Sequence, residues 1–151
     1  NKGIRMDITR LDRARQMCIE AKKATLELWN ETCRIPDVNP NSPKQVADYF
    51  YNTLGERPHV QDGSITCDVR ALQHMASRGV REAEILLKYR GLSKMWSTYF
   101  EMSFDSDNRI RCSYNPVGTE QGRISSSKSI FGTGGNLQNM PPEMRELMMA
   151  D

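Results

Sequence analysis

The sequence predicts a mainly α fold with a small β element (α+β), in which long helices precede a short strand and a polar loop. Three observations carry this. Apolar side chains recur at spacings of 3 and 4 through much of the first hundred residues, the mark of a helix with one buried face. Over residues 109–115 the alternation drops to a period of 2, which marks a strand. Pro36, Gly55, Gly79 and Pro116 stand at the ends of these blocks, where a missing N–H or a positive φ is tolerated.

Leu11, Ala14, Cys18, Ala21, Thr25 and Leu28 mark one face of a long first helix that starts near Thr9 and is ended by Pro36. At about 1.5 Å per residue it spans roughly 35 Å. Ser42-Pro43-Lys44-Gln45 opens a second helix. Ser42 is the N-cap, Pro43 occupies the first helical position and Gln45 stands where a capping box needs it. Val46, Tyr49 and Phe50 form its buried side, and Gly55 closes it. The stretch from Gly55 to Ile65, with Pro58 and Asp62-Gly63, reads as a loop. A third helix runs from about Cys67 to Arg78, with Gly79 as its stop.

The fourth helix, about Val80 to Phe100, carries two faces. Ile85, Tyr89, Leu92, Trp96 and Tyr99 make the apolar one. Arg90, Lys94, Ser97 and Thr98 fall at i, i+4, i+7 and i+8 on the other, which aligns two cations and two hydroxyls without an intervening acid. Such a row is either a solvated face or a track for phosphates. Ile110, Cys112 and Tyr114 then face one side of a single strand, and Arg109, Arg111 and Ser113 the other. From Pro116 to Pro142 the chain is polar and rich in Gly and Ser, the composition of an irregular binding loop or of disorder. Met144 to Ala150 is apolar and begins a strand or helix. In a fragment it would expose surface prone to self-association.

Composition narrows the function classes. At 151 residues, with 38% hydrophobic and 26% charged content, the chain is a globular domain with a core of its own. A net charge of +2 does not by itself indicate a polyanion partner, so any such argument rests on where the charges sit. No run of 18 apolar residues is present, which excludes a membrane-spanning helix. Asn1-Lys2-Gly3 shows neither an initiator Met nor a signal peptide, so an internal segment of a longer protein is expected. Cys18, Cys33, Cys67 and Cys112 form no C-x-x-C pair and only 2 His are present. This argues against zinc and for free thiols in a reducing compartment.

The chemistry concentrates in the last third. Gly122-Arg123-Ile124-Ser125-Ser126-Ser127 and Asn136-Leu137-Gln138-Asn139-Met140-Pro141 hold a guanidinium, three hydroxyls and three side-chain amides. These are donors for phosphates and base edges. Arg123, Asn136, Gln138 and Asn139 suit the minor groove, where every base pair offers acceptors at similar positions. Arg90, Lys94, Ser97 and Thr98 suit phosphates, which carry no sequence information. Both sets point to sequence-independent duplex binding. Gly132-Thr133-Gly134-Gly135 lacks the Lys-Ser/Thr of a P-loop and reads as a tether. His59 and His74 have no triad partners nearby in sequence and read as surface or packing residues. Glu120, Glu143, Glu146 and Asp151 sit on no recognisable buried strand end, so none is assigned a metal. From the residues alone, two other readings fit: a stand-alone nucleic-acid-binding module without enzymatic activity, and a helical protein-interaction domain docking through Leu11–Leu28 and Ile85–Tyr99.

Tyr89-Arg90-Gly91-Leu92-Ser93-Lys94 with Ser97-Thr98-Tyr99 resembles the thumb-helix signature of family A DNA polymerases. Tyr114-Asn115, the Gly122–Ser127 block and the Asn136–Pro141 block resemble that family's segment leading into the palm, in the same order. Weaker echoes occur at Gly3–Asp7, Asn39–Ser42 and Gln45–Gly55. Two departures stand out. Lys128 to Gly135 intervene where the common pattern has only Asp-Pro, a longer loop similar to that of phage-encoded members, and Gln121 replaces a common Thr.

The resemblance implies a helical thumb over residues 1–100 and the beginning of a palm over 101–151, with the family's catalytic carboxylates expected beyond Asp151. It implies template-directed DNA synthesis by the parent protein and a duplex-positioning role for this fragment. Arg123 would reach the minor groove near the primer terminus, and Ser125 and Ser126 of the same motif are expected to bind DNA. Asn136, Gln138 and Asn139 would contact primer–template, and Arg90 and Lys94 would hold the duplex backbone. The implied partners are primer–template DNA and, for the intact enzyme, a dNTP. Mg2+ is the implied cofactor of the intact enzyme, with no ligand for it and no catalytic residue in this fragment. The implied location is the cytoplasm of a bacterial or phage-infected cell.

Overall fold

The computed structural model describes residues 3–115, 125–128 and 142–149. In chain order the elements are β1 (Ile4–Met6), α1 (Ile8–Thr32), α2 (Pro43–Asp48), a π-helical turn (Tyr49–Thr53), β2 (His59–Gln61), β3 (Ser64–Thr66), α3 (Val69–Ser77), α4 (Arg81–Met95), a second π-helical turn (Trp96–Phe100), β4 (Arg109–Ile110), β5 (Cys112–Asn115), β6 (Ser125–Lys128), α5 (Pro142–Arg145) and β7 (Met148–Met149). Helices with a few short antiparallel strands are the predicted class. The chain divides into two compact units, Glu20–Ser93 and Asn1–Ile19 with Lys94–Asp151. The N-terminal strand β1 takes its partners from the C-terminal segment, and this draws the first residues into that unit.

In the unit Glu20–Ser93 the core gathers on the end of α1. Of the predicted stripe, Leu11, Cys18 and Thr25 are buried, but Leu28 is 37% exposed and Trp29 only 1%. A strict seven-residue pattern drifts by about 20° per heptad on a straight helix. Five full turns from Leu11 fall on Trp29 rather than Leu28. The Thr25 hydroxyl is reconciled with burial by donating to the Ala21 carbonyl at 2.7 Å. Trp29 meets Tyr49 edge-on at 5.9 Å between ring centroids, and Tyr49 meets Phe50 at 5.6 Å. The indole N–H donates to the Val38 carbonyl at 2.8 Å, which satisfies the polar handle that a buried Trp brings with it.

The second helix begins as predicted, with Ser42 Oγ accepting from the Gln45 N–H at 3.4 Å. The return arm differs from a capping box. Gln45 Oε1 accepts from the Asn39 N–H at 2.9 Å, so the glutamine ties down the preceding turn instead of the cap residue. Val46, Tyr49 and Phe50 are fully buried. The helix then loosens by one residue per turn, with Leu54 N–H bonding to the Tyr49 carbonyl at 2.9 Å. Gly55, at φ +74°, ends it without a Cβ clash.

The stretch expected as a loop contains a hairpin. His59↔Thr66, Val60↔Ile65 and Gln61↔Ser64 pair antiparallel. Asp62 and Gly63 at the turn both have positive φ, 49° and 78°, as a two-residue type I′ turn requires. The Asp-Gly pair was the signal; three-residue strands are too short to show an alternation. Helix α3 is capped by Asp68, which accepts from the Ala71 N–H at 2.9 Å. It ends in a Schellman motif: Val80 N–H bonds to the Met75 carbonyl at 3.1 Å and Gly79 N–H to Ala76 at 2.9 Å.

Cys33 and Cys67 are free thiols. Burial pushes the Cys33 thiol up to about 11, against the pull of a hydrogen bond with Tyr49. The unfolded chain therefore deprotonates first as pH rises. The stability this thiol contributes is complete below an ordinary thiol pKa of about 8.5 and is lost as pH climbs through that of the folded state. At pH 8 the folded chain should react with iodoacetamide at Cys33 roughly tenfold or more slowly than the urea-unfolded chain. Mass spectrometry of the labelled peptide checks this, and equal rates would show the thiol to be unprotected.

The other unit is organised by β1. It pairs antiparallel with β4 through Ile4↔Ile110 and Arg5↔Arg109, and with β7 through Arg5↔Met149 and Met6↔Met148. Gly3, at φ +69°, lies so close to the Ile110 carbonyl and Arg111 Cγ that an added Cβ would stand 2.8 Å from each. The apolar C-terminal stretch thus finds its strand partner near the N-terminus. Met144 and Leu147, expected to be exposed, are buried. The single strand predicted over 109–115 is two strands broken at Arg111. The Arg111 guanidinium turns back to Asp105 and Asp107, and the ion pair holds the Asp107 carboxyl below its ordinary value. β5 pairs with β6, so part of the segment expected to be irregular is a strand. Arg15 donates through Nε to the Phe100 carbonyl at 3.0 Å and lies over the Phe104 ring, 5.6 Å from its centroid.

Candidate nucleic-acid interface

The predicted contact residues fall into three sets. Arg90 lies on α4 within the unit Glu20–Ser93, whereas Lys94, Ser97 and Thr98 belong to the other unit. Ser125 and Ser126 lie on β6, opposite Asn115 and Tyr114 of β5. The two halves of the motif that spacing alone kept apart are therefore hydrogen-bonded neighbours. Arg123, Asn136, Gln138 and Asn139 lie outside the described residues.

The α4 row is not the uniform solvated face that spacing suggested. Arg90 is half-buried and its Nη1 donates to the Cys67 carbonyl at 2.9 Å. One donor group of the guanidinium clasps the start of α3, and the rest of the fork remains for another partner. Lys94, Ser97 and Thr98 are exposed. The Ser97 hydroxyl donates back to the Lys94 carbonyl at 3.3 Å. Beyond Met95 the helix widens, with Glu101 N–H bonding to the Trp96 carbonyl at 3.0 Å. A π-helical turn has more residues per turn than an α-helix, so Ser97 and Thr98 are rotated from their predicted angles. Such turns occur frequently at functional sites.

Arg90 also opens onto a groove of about 740 Å³ whose rim includes Asn41, Lys44 and Thr66. Asn41 is fixed by donating to the Tyr89 hydroxyl at 3.2 Å. The Asp68 carboxylate, also on the rim, is occupied in capping α3. Lys44 and Asn41 thus join Arg90 as donors around one concave surface. The sequence reading used Lys44 only as part of a helix start. Asn39-Pro40-Asn41-Ser42 did carry a family echo, and that was the available signal. Among the described residues no group of three His, Cys, Asp or Glu is placed to hold a metal ion. These described residues do not fit a Mg2+ site. No described helix is long and apolar enough to cross a membrane.

The family model for DNA polymerase family A matches residues 11–150. The DNA polymerase of Escherichia phage T5 is 31% identical over 93% of this chain, which spans 17% of the phage protein. DNA polymerase I of Helicobacter pylori is 32% identical over 70% of the chain, which spans 11% of that enzyme. The thermostable DNA polymerase I of Thermus filiformis is 30% identical over 93% of it, and 17% of that enzyme is spanned. In structure, the chain resembles the POL domain of Pol1 from M. smegmatis, solved with DNA primer-template and dNTP, at a TM-score of 0.84 and 22% identity. That likeness covers 99% of this chain and 27% of the other. The family model and the relatives at 30% identity or more match the chain through both units. On that ground the chain belongs to DNA polymerase family A.

Proposed function

We propose that this chain is the duplex-holding part of a DNA-directed DNA polymerase, and that its parent extends a primer along a template. The observation that supports this most is the family match over residues 11–150, which takes in both the α4 row and the Gly122–Pro141 donors. Residues 1–100 act as the helical thumb and 101–151 as the start of the palm.

In this reading Arg90, Lys94, Ser97 and Thr98 hold phosphates. Lys44 and Asn41, grouped with Arg90 around one groove, extend the grip. Phosphate contacts position the duplex without reading it, as a polymerase needs on any template. Arg123, with Ser125, Ser126, Asn136, Gln138 and Asn139, grips the primer–template near the primer end through acceptors common to all base pairs. The dNTP and Mg2+ are partners of the intact enzyme.

The test is salt dependence. Each phosphate neutralised contributes about 0.9 to the slope of log affinity against log salt for B-DNA. Lys44→Ala, Arg90→Ala and Lys94→Ala should each flatten that slope by about 0.9 in a duplex titration of the chain. Arg90→Lys, which keeps the charge, should retain it. Unaltered slopes in all three alanine variants would reduce the row to solvated surface. Duplex affinity that is undetectable at low salt would remove the reading altogether.

A further inference from the structure

A second concave site lies within the unit Glu20–Ser93. It is a cavity of about 350 Å³, with Arg57, His59, His74 and Arg78 among its lining residues. It therefore collects both histidines of the chain and two arginines, and none of the lining residues is an acid. Arg78 is matched by an ion pair with Glu56, which leaves Arg57 as surplus positive charge. The rest of the wall is apolar or aromatic, with Pro58, Ala71, Met75 and Tyr51. The Tyr51 hydroxyl is turned to the Thr66 carbonyl, so the tyrosine is held in place.

Sequence spacing kept these groups apart. The hairpin and α3 bring them together. His59 lies on β2, and His74 and Arg78 follow on α3 and its end. None of the four belongs to the duplex-contact residues, and none lines the groove around Arg90.

We infer that this cavity binds a small organophosphate, a free nucleoside monophosphate in chemical class. The Arg57 fork and the imidazole N–H groups supply donors for phosphate oxygens, with geometry that a guanidinium matches in pairs. The Pro58, Ala71 and Met75 wall supplies contact for a sugar or base. A volume of about 350 Å³ falls at the small end of ligand sites, which run from roughly 300 to 1,000 Å³. It admits a nucleotide and not a double helix.

The experiment follows the two histidine Cε1–H resonances of the full chain by NMR. The chain is titrated separately with inorganic phosphate, with thymidine monophosphate and with a blunt duplex carrying 5′-hydroxyl ends. Thymidine monophosphate should shift both resonances saturably and bind more tightly than inorganic phosphate. Arg57→Ala should weaken it about tenfold or more, as expected for a charge-assisted hydrogen bond. His74→Gln, an exposed change that keeps the helix, should weaken it less while helix content stays the same. Both variants should leave duplex affinity unchanged. Equal affinity for inorganic phosphate and the nucleotide would overturn the organophosphate assignment. Resonances that move only with duplex would hand the cavity to the DNA backbone. No shift at millimolar nucleotide, or binding indifferent to Arg57→Ala, would remove the site.

Discussion

Trp29→Ala is expected to cost roughly 3–5 kcal/mol of stability, the range for truncating a buried large aromatic. Trp29 is 1% exposed, and the substitution removes three things at once. The edge-on contact with Tyr49 at 5.9 Å goes, as does the tilted contact with Phe50 at 6.3 Å. The Val38 carbonyl also loses its indole donor, and a buried carbonyl left unpaired adds a penalty of about 1–3 kcal/mol unless water reaches it. Whole domains are stable by only about 5–15 kcal/mol, so this one change takes a large fraction. Trp29→Phe keeps an aromatic ring but not the donor, and should fall between wild type and Trp29→Ala. Urea unfolding followed by far-UV circular dichroism measures all three. A loss below about 1 kcal/mol for Trp29→Ala, the usual scale of an average substitution, would mean that this cluster is not the centre of its unit.

If the proposed function holds, Arg123→Ala in the full-length protein is expected to lower the single-nucleotide extension rate by roughly 10- to 100-fold, since one good bidentate base contact is worth about 1–3 kcal/mol. Duplex affinity should change much less, because phosphate contacts elsewhere supply most of it. Displacing a primer end by about an ångström slows the reaction without releasing the DNA. Fidelity should fall as well, since a donor aimed at acceptors shared by all correct pairs is misplaced by a distorted one. Pre-steady-state insertion with matched and mismatched primer ends reads both effects. Unchanged insertion kinetics would refute the role, and a loss confined to duplex affinity would move Arg123 to the backbone-holding set.

Local order was legible because it is made by neighbours in sequence. Ser42 and Gln45 announced the start of α2, and Gly55 and Gly79 announced two helix ends through the positive φ each adopts. The face containing Val46, Tyr49 and Phe50 followed from spacing and is fully buried. Trp29 was missed because a stripe counted in strict threes and fours drifts off the true helical period. The β2–β3 hairpin was missed because its strands are only three residues long. Lys44 and Asn41 were passed over because a helix start is the commoner use of such residues, and only the groove around Arg90 gives them another.

The sequence by itself determined the helical class, the caps and stops, and the family, because periodicity, capping and motif order are carried by residues close along the chain. Only the tertiary structure decided the rest. It joined β1 to β4 and β7 across most of the chain's length, with Arg109 reaching the Gly3 carbonyl over a separation of 106 residues. It turned Arg90 onto the Cys67 carbonyl, so that a cation expected to lie free is part of the scaffold. It also gathered two histidines and two arginines around one cavity. Such pairings are settled by which polar groups and apolar faces can be satisfied together once the chain has collapsed, and no local pattern records that outcome.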